Sequence, residues 1–209
     1  MEIIIAALAL LVLVPVMVLI AARIALDRSG SVLYRQQRVG RGGVPIIVHK
    51  FRTLRASADD AVEVAPDDDP RVTRPGRWLR RCRLDELPQL VDVLFGRMAL
   101  VGPRPETAGN LACVPAELTA RLHAVRPGLT SEVALRFLAE DEVLAGQADP
   151  LGVYRRVIVP AKVAEDVRAL SHRSLFGDLK ILVRTPVEVL SAASWAHSRK
   201  HLEALIDRD

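Results

Sequence analysis

The first constraint on this chain is an apolar run near its start. From Ile3 to Ala22, 20 consecutive residues carry no charged or polar side chain, which is about the length needed to cross a hydrocarbon core of roughly 30 Å. The sequence therefore predicts one membrane-inserted helix. Pro15 lies near the middle of the run, where proline removes a backbone hydrogen bond and clashes with the preceding turn. We expect a kink or break there, and the run alone leaves both a spanning and a re-entrant helix open.

The charges on either side of the run predict its orientation. Glu2 is acidic, whereas a secretory signal would begin with basic residues. Arg23 and Arg28 follow the run, and basic residues are enriched on the cytoplasmic side of membrane helices. The sequence therefore predicts a membrane segment over residues 1–28 and a cytosolic domain over residues 29–209.

The sequence of the predicted cytosolic part indicates an α+β domain that is mainly helical. Two extended stretches, 32–40 and 44–51, flank a glycine-rich turn and predict a short β-hairpin. Half of the residues are hydrophobic and 26% are charged, a composition typical of a folded domain. Helical spacing of apolar residues predicts several amphipathic helices, over residues 75–81, 85–95, 115–125, 149–170 and 175–204.

Two adjacent carboxylates, Asp85 and Glu86, lie at the predicted start of the second of these helices. Neighbouring residues on a helix point about 100° apart, so we expect the two side chains to have different roles. A carboxylate at a helix N-terminus is kept ionised by the helix dipole, as a nucleophile or a metal ligand requires. An N-cap followed by a first-turn glutamate has the same spacing, so a structural role stays open.

The basic residues favour phosphate as a partner. Arginine supplies 25 of the 29 basic side chains, and its planar guanidinium suits bidentate contacts with phosphate. Arg104 lies between Pro103 and Pro105, and proline restricts the backbone of both neighbours. We therefore expect a pre-positioned guanidinium, although a rigid turn with a surface arginine has the same pattern. Arg126, in an Arg-Pro-Gly turn, has the same ambiguity.

A cluster of arginines between residues 71 and 83 surrounds Trp78. Such a surface suits anionic lipid headgroups, and nucleic acid is the alternative partner. The apolar run favours the membrane. Since the sequence contains neither a nucleic-acid-binding motif nor a P-loop, we expect no nucleic acid partner.

Five motifs follow one another in an order that resembles the bacterial sugar transferase family. Members of that family are small monotopic phosphoglycosyl transferases that open glycan assembly on a polyprenyl phosphate. The resemblance runs from the apolar segment to about residue 185. Its motifs are Lys50-Phe51-Arg52-Thr53, Asp69-Pro70-Arg71, Leu84 to Leu90, Gly102 to Pro105, and Arg126-Pro127-Gly128.

The resemblance implies a location and a membrane topology. In the family the first helix is re-entrant, is broken at a Ser-Pro or similar pair, and enters and leaves the cytosolic leaflet. Val14-Pro15 occupies the place of that pair, without the serine. The resemblance thus implies a helix broken at Pro15 in the bacterial inner membrane, with the catalytic domain facing the cytoplasm. We expect the minimal form of the family, because no further membrane segment precedes this one in the sequence.

The resemblance also implies a reaction. A sugar-1-phosphate would pass from a UDP-sugar to undecaprenyl phosphate with release of UMP, as the first membrane step of exopolysaccharide, O-antigen, capsule or glycoprotein glycan synthesis. Asp85 would be the nucleophile that carries the phosphosugar, Glu86 would orient it, and both would bind Mg²⁺, the expected cofactor. The remaining implied site residues are Lys50, Arg52, Arg104 and Arg126 as phosphate contacts, and Asp178 as a supporting residue.

Departures from the family pattern limit what can be inferred about the substrate. The Gly-Trp step that often follows the Arg-Pro-Gly motif is absent, and residues 137–142 read Phe-Leu-Ala-Glu-Asp-Glu. Arg83 stands where a serine or threonine is usual, two residues before Asp85. The identity of the sugar is therefore left open. A non-catalytic scaffold or a polyanion-binding protein of the same fold is the alternative function, and downstream glycosyltransferases are candidate partners.

Overall fold

The computed structural model describes residues 2–27, 30–55 and 64–208. The predicted boundary between the membrane segment and the cytosolic domain, at residues 28 and 29, lies outside the described residues. The described chain is mostly helical and contains a two-stranded hairpin, which confirms the predicted mainly helical α+β class.

The apolar run forms one helix, α1 (Glu2–Ala25), of 24 residues, or about 36 Å. The predicted break at Pro15 is not found, because α1 continues through it. Ala6 on one side of the proline, and Ile20 and Ile24 on the other, are buried against the rest of the protein. This packing holds both halves in one helix, so the hydrogen bond lost at Pro15 does not separate them.

The predicted hairpin is confirmed. Strand β1 (Leu33–Val39) pairs antiparallel with β2 (Pro45–Phe51), with Leu33 opposite Phe51. A short 3₁₀ turn joins them, and Gly42 adopts φ of 71° in it. Glycine reaches this left-handed region without the strain that a Cβ would cause.

The helix predicted over residues 85–95 begins later than expected. Helix α2 (Arg74–Arg81) is followed by a 3₁₀ turn at Leu84–Glu86, and α3 (Gln89–Leu94) starts only after Pro88. Leu87 and Pro88 have right-handed helical backbone angles, but Pro88 has no N–H group to donate a helical hydrogen bond to the turn before it. The two carboxylates therefore lie in the turn before the helix, which corrects the prediction that they lie within it.

A second, parallel pair of strands was not predicted. Strand β3 (Ala99–Val101) pairs with β4 (Gly128–Thr130) across helices α4 (Ala108–Leu111) and α5 (Ala116–Leu122). Each strand is only three residues long, too short to show a clear alternation of polar and apolar residues.

The C-terminal half is helical, but two predicted helices are divided. The run predicted over 149–170 contains a π-helical turn at Tyr154–Ile158, just before Pro160, which accommodates the missing proline N–H. The run predicted over 175–204 is two helices, the second capped by Ser191. The helices of this half are α6 (Glu132–Arg136), α7 (Glu140–Leu144), α8 (Pro150–Val153), α9 (Val159–Leu170), α10 (Leu175–Leu190) and α11 (Ala192–Ile206).

Two helices expose apolar side chains along their outer faces. On α1 these include Leu8, Leu11 and Leu19. On α10 they form a stripe at helical spacing. The stripe consists of Leu175, Leu179, Val183, Val187 and Leu190. Helix α1 has the length and composition to cross a membrane.

The hairpin is anchored to α3 by a buried carboxylate. Asp92 is fully buried and accepts hydrogen bonds from the His49 backbone N–H at 3.1 Å and from Arg97 at 3.0 Å. Replacing it removes these bonds at once and leaves their donors unpaired.

We expect Asp92→Ala to destabilise the protein by about 1–3 kcal/mol, because the part-buried His49 backbone N–H loses its acceptor and the hairpin loses its polar contact with α3. Thermal unfolding in detergent measures the effect, with Asp207→Ala, an exposed change at the end of α11, as the control. Equal melting temperatures for the two variants would show that Asp92 does not anchor the hairpin.

Candidate active site

A cavity of about 230 Å³ opens between the hairpin, the turn at Leu84–Glu86 and the start of α7. It is lined by more cations than anions. The cations are Arg38, Lys50, Arg52, Arg55, Arg71, Arg80, Arg83 and Arg104, and the anions are Asp85, Glu86, Glu140 and Asp141.

The turn that carries the two carboxylates begins with an unusual backbone conformation. Arg83 has φ of 54° and is the one non-glycine residue with positive φ in the described chain. Such a conformation is costly and persists where the surroundings impose it, often at functional sites. The Arg83 guanidinium donates to the Leu138 carbonyl at 3.0 Å, which fixes the start of the turn.

Glu86 is held by two cations. Lys50 Nζ donates to its Oε1 at 3.0 Å, and Arg104 binds both carboxylate oxygens, with Nη1 at 2.9 Å from Oε2. Burial alone would raise the pKa of Glu86, but Arg104 and Lys50 hold it well below its usual range. Glu86 is therefore ionised and fully engaged with protein groups.

Asp85 is in the opposite situation. Its side chain lines the cavity, only 7% of the residue is exposed, and its Oδ1 has no hydrogen-bond partner among the described residues. Burial and the adjacent charge of Glu86 raise the pKa of Asp85 to about 6. Near neutral pH Asp85 is thus ionised, and none of the described residues donates a hydrogen bond to its Oδ1.

The position of Arg104 depends on two glycines. Gly102 and Gly128 belong to different motifs, and their backbones pack together so closely that a Cβ on either would clash with the other. The parallel pairing of β3 with β4 brings them together. The backbone of the loop that carries Arg104 is therefore set by the strands behind it.

Arg52 also lines the cavity, but it bonds to the backbone. Its Nε donates to the Ser31 carbonyl at 2.6 Å, and its Nη2 lies 3.5 Å from the Ile24 carbonyl in α1. Arg52 thereby connects the end of α1 to the wall of the cavity.

A buried network behind Arg104 was missed in the sequence. Glu106 accepts a hydrogen bond from the Tyr154 hydroxyl at 2.8 Å and pairs with Arg38 at 3.3 Å and Lys162 at 3.4 Å. Burial opposes ionisation of Glu106, but Lys162 and Arg38 lower its pKa to about 2. Lys162 also pairs with Glu140 at 2.8 Å. The network joins the hairpin, the Arg104 loop and α9, and its members lie so far apart in the sequence that no local pattern indicates it.

Two predicted site residues lie elsewhere. Arg126 pairs with Glu2 at 2.6 Å and donates to the Met98 carbonyl at 3.3 Å, and it does not line the cavity. Asp178 pairs with Arg173 at 2.8 Å and is also outside the cavity lining. Both residues take part in contacts that hold α1 and α10 against the short parallel strands, and their predicted roles toward substrate stay predictions.

The donors present fit a Mg²⁺ ion that is completed by substrate. No cluster of three or more His, Cys, Asp or Glu side chains suited to a metal occurs in the described part of the chain. Mg²⁺ commonly uses one or two carboxylates together with substrate phosphates and water. The unpaired Oδ1 of Asp85 is such a ligand, whereas both oxygens of Glu86 are already bonded.

Comparison with known proteins adds an independent finding. The family model described as bacterial sugar transferase matches residues 1–192. The chain belongs to the bacterial sugar transferase family. This confirms the resemblance drawn from the ordered motifs.

Curated relatives of this bacterial sugar transferase come from several bacteria. The exopolysaccharide production protein PSS of Rhizobium leguminosarum bv. phaseoli is 38% identical over 190 residues, which cover 88% of this chain and 90% of the relative. The UDP-glucose:undecaprenyl-phosphate glucose-1-phosphate transferase of Caulobacter vibrioides is 38% identical over 196 residues, which cover 91% of this chain and 68% of the relative. The Escherichia coli protein of the same name is 35% identical over 187 residues, covering 88% of this chain but 38% of the relative.

The raised pKa of Asp85 has a consequence for stability. The folded protein disfavours the ionised form of Asp85, so ionisation of this group lowers the stability of the fold. The loss begins near pH 3.8, the ordinary pKa of an aspartate, grows up to about pH 6, and is complete at higher pH. A shift of about two units corresponds to roughly 3 kcal/mol at most.

We therefore expect Asp85→Asn to raise the melting temperature of the protein in EDTA at pH 8, because the neutral amide removes a buried charge. The gain should shrink towards pH 4, where Asp85 of the wild type is protonated. Thermal unfolding of both proteins across this range tests the expectation, and an unchanged or lower melting temperature at pH 8 would contradict it.

Proposed function

We propose that this chain is a polyprenyl-phosphate phosphoglycosyl transferase that moves a sugar-1-phosphate from a UDP-sugar to undecaprenyl phosphate. One observation supports this most directly: Asp85 lines a cation-rich cavity, and among the described residues its buried Oδ1 has no hydrogen-bond partner, whereas the neighbouring Glu86 is fully paired. Two of the relatives are UDP-glucose:undecaprenyl-phosphate glucose-1-phosphate transferases, so UDP-glucose is the first donor to test.

In the first step, a carboxylate oxygen of Asp85 attacks the phosphorus that carries the sugar. The bond from that phosphorus to the bridging oxygen breaks, UMP leaves, and the phosphosugar stays on Asp85 as an acyl phosphate. Covalent catalysis of this kind divides one difficult displacement into two easier ones.

In the second step, an oxygen of undecaprenyl phosphate attacks the same phosphorus. The bond to Asp85 breaks, the carboxylate is regenerated, and the product is an undecaprenyl diphosphate sugar. The two displacements give a ping-pong mechanism, and every oxygen and phosphorus atom is accounted for without a further reactant.

The residues around Asp85 would stabilise the charge of the transition state. Phosphoryl transfer depends on positioning and on cations placed where charge develops. Glu86 holds Lys50 and Arg104 at the edge of the cavity. The two side chains are therefore already ordered, and they lose little conformational entropy when substrate binds. Mg²⁺, when bound to Asp85 and the substrate diphosphate, would neutralise the negative charge that otherwise repels a carboxylate nucleophile.

The proposed location is the cytosolic face of the bacterial inner membrane. Both ends of α1 contact the same domain, through Glu2 with Arg126 at one end and Ile24 with Arg52 at the other. A helix that crossed the bilayer could not keep both contacts. We infer that α1 enters one leaflet only, with its exposed apolar face and that of α10 towards lipid.

The alternative, a non-catalytic scaffold or polyanion binder, explains the cationic cavity but not Asp85. A binding protein for anions gains nothing from a buried carboxylate that is left unpaired at the cavity wall, because such a group costs stability. The destabilising Asp85 is therefore better explained by catalysis.

We expect Mg²⁺-dependent UMP release when the detergent-purified protein is given undecaprenyl phosphate and UDP-glucose, or another member of a UDP-sugar panel. Asp85→Asn should lower the rate by roughly a thousandfold or more, because the amide cannot attack phosphorus. Asp207→Asn is the matched control at an exposed aspartate. Lack of UMP release by folded wild-type protein across the panel would overturn the proposed reaction.

The topology is tested with a cysteine at Ile3, next to Glu2, in a Cys82→Ser, Cys113→Ser background. We expect a membrane-impermeant maleimide to label it in inside-out vesicles but not from the periplasmic side of cells. The exposed native Cys113, retained in a parallel variant, reports the cytosolic side. Periplasmic labelling at position 3 would show that α1 crosses the membrane.

A further inference from the structure

The last helix lies beyond the part of the chain that defines the family. The family model ends at residue 192, where α11 (Ala192–Ile206) begins. The helix is nevertheless tightly packed, since Trp195, Ser198 and Leu202 are between 0% and 5% exposed. Packing of this kind indicates a defined role in the fold rather than a loose tail.

One polar contact joins α11 to the start of α7. Ser198 Oγ accepts a hydrogen bond from the Ala139 backbone N–H at 3.0 Å, and both residues are buried. Ala139 is the N-cap residue of α7 and has no side chain with which to cap the helix. The serine from α11 therefore fixes the backbone at the point where α7 begins.

A second set of contacts holds the same helix from its outer side. Glu142 in α7 pairs with Arg199 of α11 and with Arg81 of α2. The Arg81 guanidinium also stacks over Trp195, 3.7 Å from the ring centroid. Helices α2, α7 and α11 are thus connected around Glu142.

The first two residues of α7 are part of the cavity wall. Glu140 and Asp141 both line the cavity. Asp141 pairs with Arg80 at 2.7 Å, and Glu140 pairs with Lys162 at 2.8 Å. Any shift of α7 would therefore move two carboxylates and one cation that face the cavity.

We propose that α11 is a positioning element for donor binding, and that the Glu140–Asp141 wall it fixes recognises the hydroxyl groups of the donor's sugar. This rests on the proposed function. The phosphates of a nucleotide sugar favour the arginines, whereas carboxylates accept hydrogen bonds from hydroxyls. Ser198 itself touches no substrate and acts through Ala139.

The lipid acceptor is a poorer match for this wall. Among the described residues, none that lines the cavity comes from α1 or α10, the two helices with exposed apolar faces. The carboxylates of α7 therefore lie on a polar side of the site, where a sugar fits better than a polyprenyl chain.

The test compares Ser198→Ala with Ser194→Ala, a change on the same helix at a serine whose hydroxyl makes no hydrogen bond among the described residues. We expect Ser198→Ala to raise the KM for UDP-glucose roughly fivefold with kcat within about twofold, and to change the preference between UDP-glucose and UDP-galactose. Ser194→Ala should change neither. A merely structural role would lower the active fraction, and hence kcat, and leave KM and the preference unchanged.

Arg199→Ala provides a second variant at an exposed position, where folding is not at risk. We expect a smaller rise in KM, because Arg81 still holds Glu142. If both variants keep the wild-type KM and sugar preference, the inference is wrong. Calorimetric binding of the UDP-sugars distinguishes the inference from the reaction. Weaker binding of the preferred UDP-sugar by Ser198→Ala supports the inference even if no UMP is released, whereas absence of binding by the wild type to every UDP-sugar of the panel overturns both proposals.

Discussion

The clamp on Glu86 is the interaction on which the site depends. Lys50 arrives from the hairpin and Arg104 from the loop after β3, and both meet the same buried carboxylate. A buried carboxylate with two cations is stable only when the geometry satisfies most of its lone pairs. The clamp therefore fixes the two elements relative to the turn, and it leaves the neighbouring Asp85 as the carboxylate with a free oxygen.

Adjacent carboxylates are normally a liability, because each raises the pKa of the other. Here the two environments differ enough to separate their roles. The cations lower the pKa of Glu86, while burial raises that of Asp85 to about 6, which is still ionised near neutral pH. Among the described residues Oδ1 of Asp85 has no hydrogen-bond partner, and a buried carboxylate oxygen that is left unsatisfied lowers local stability, as is common at functional sites.

The sequence predicted the parts of the site that depend on local chemistry. Proline on both sides of Arg104 indicated a fixed guanidinium, and the ordered motifs indicated Asp85 as the reactive group. The contact of Arg126 with Glu2 was not predicted, because it joins residues at opposite ends of the sequence, and the pairing of β4 with β3 places the Arg126 motif near the start of α1. Likewise, the contacts of Glu106 with Lys162 and of Ser198 with Ala139 join residues more than 50 positions apart, which no local pattern reveals.

Glu2 shows how the membrane helix and the catalytic fold are connected. An acidic residue at the start of an apolar helix is costly to bury in lipid, and its pairing with Arg126 at 2.6 Å offsets that cost only while the domain stays docked. Arg52 makes the corresponding contact at the other end of α1, and it also lines the cavity. The two motif arginines therefore connect both ends of α1 to the domain that contains the cavity, and a change at either one would alter how the helix is docked.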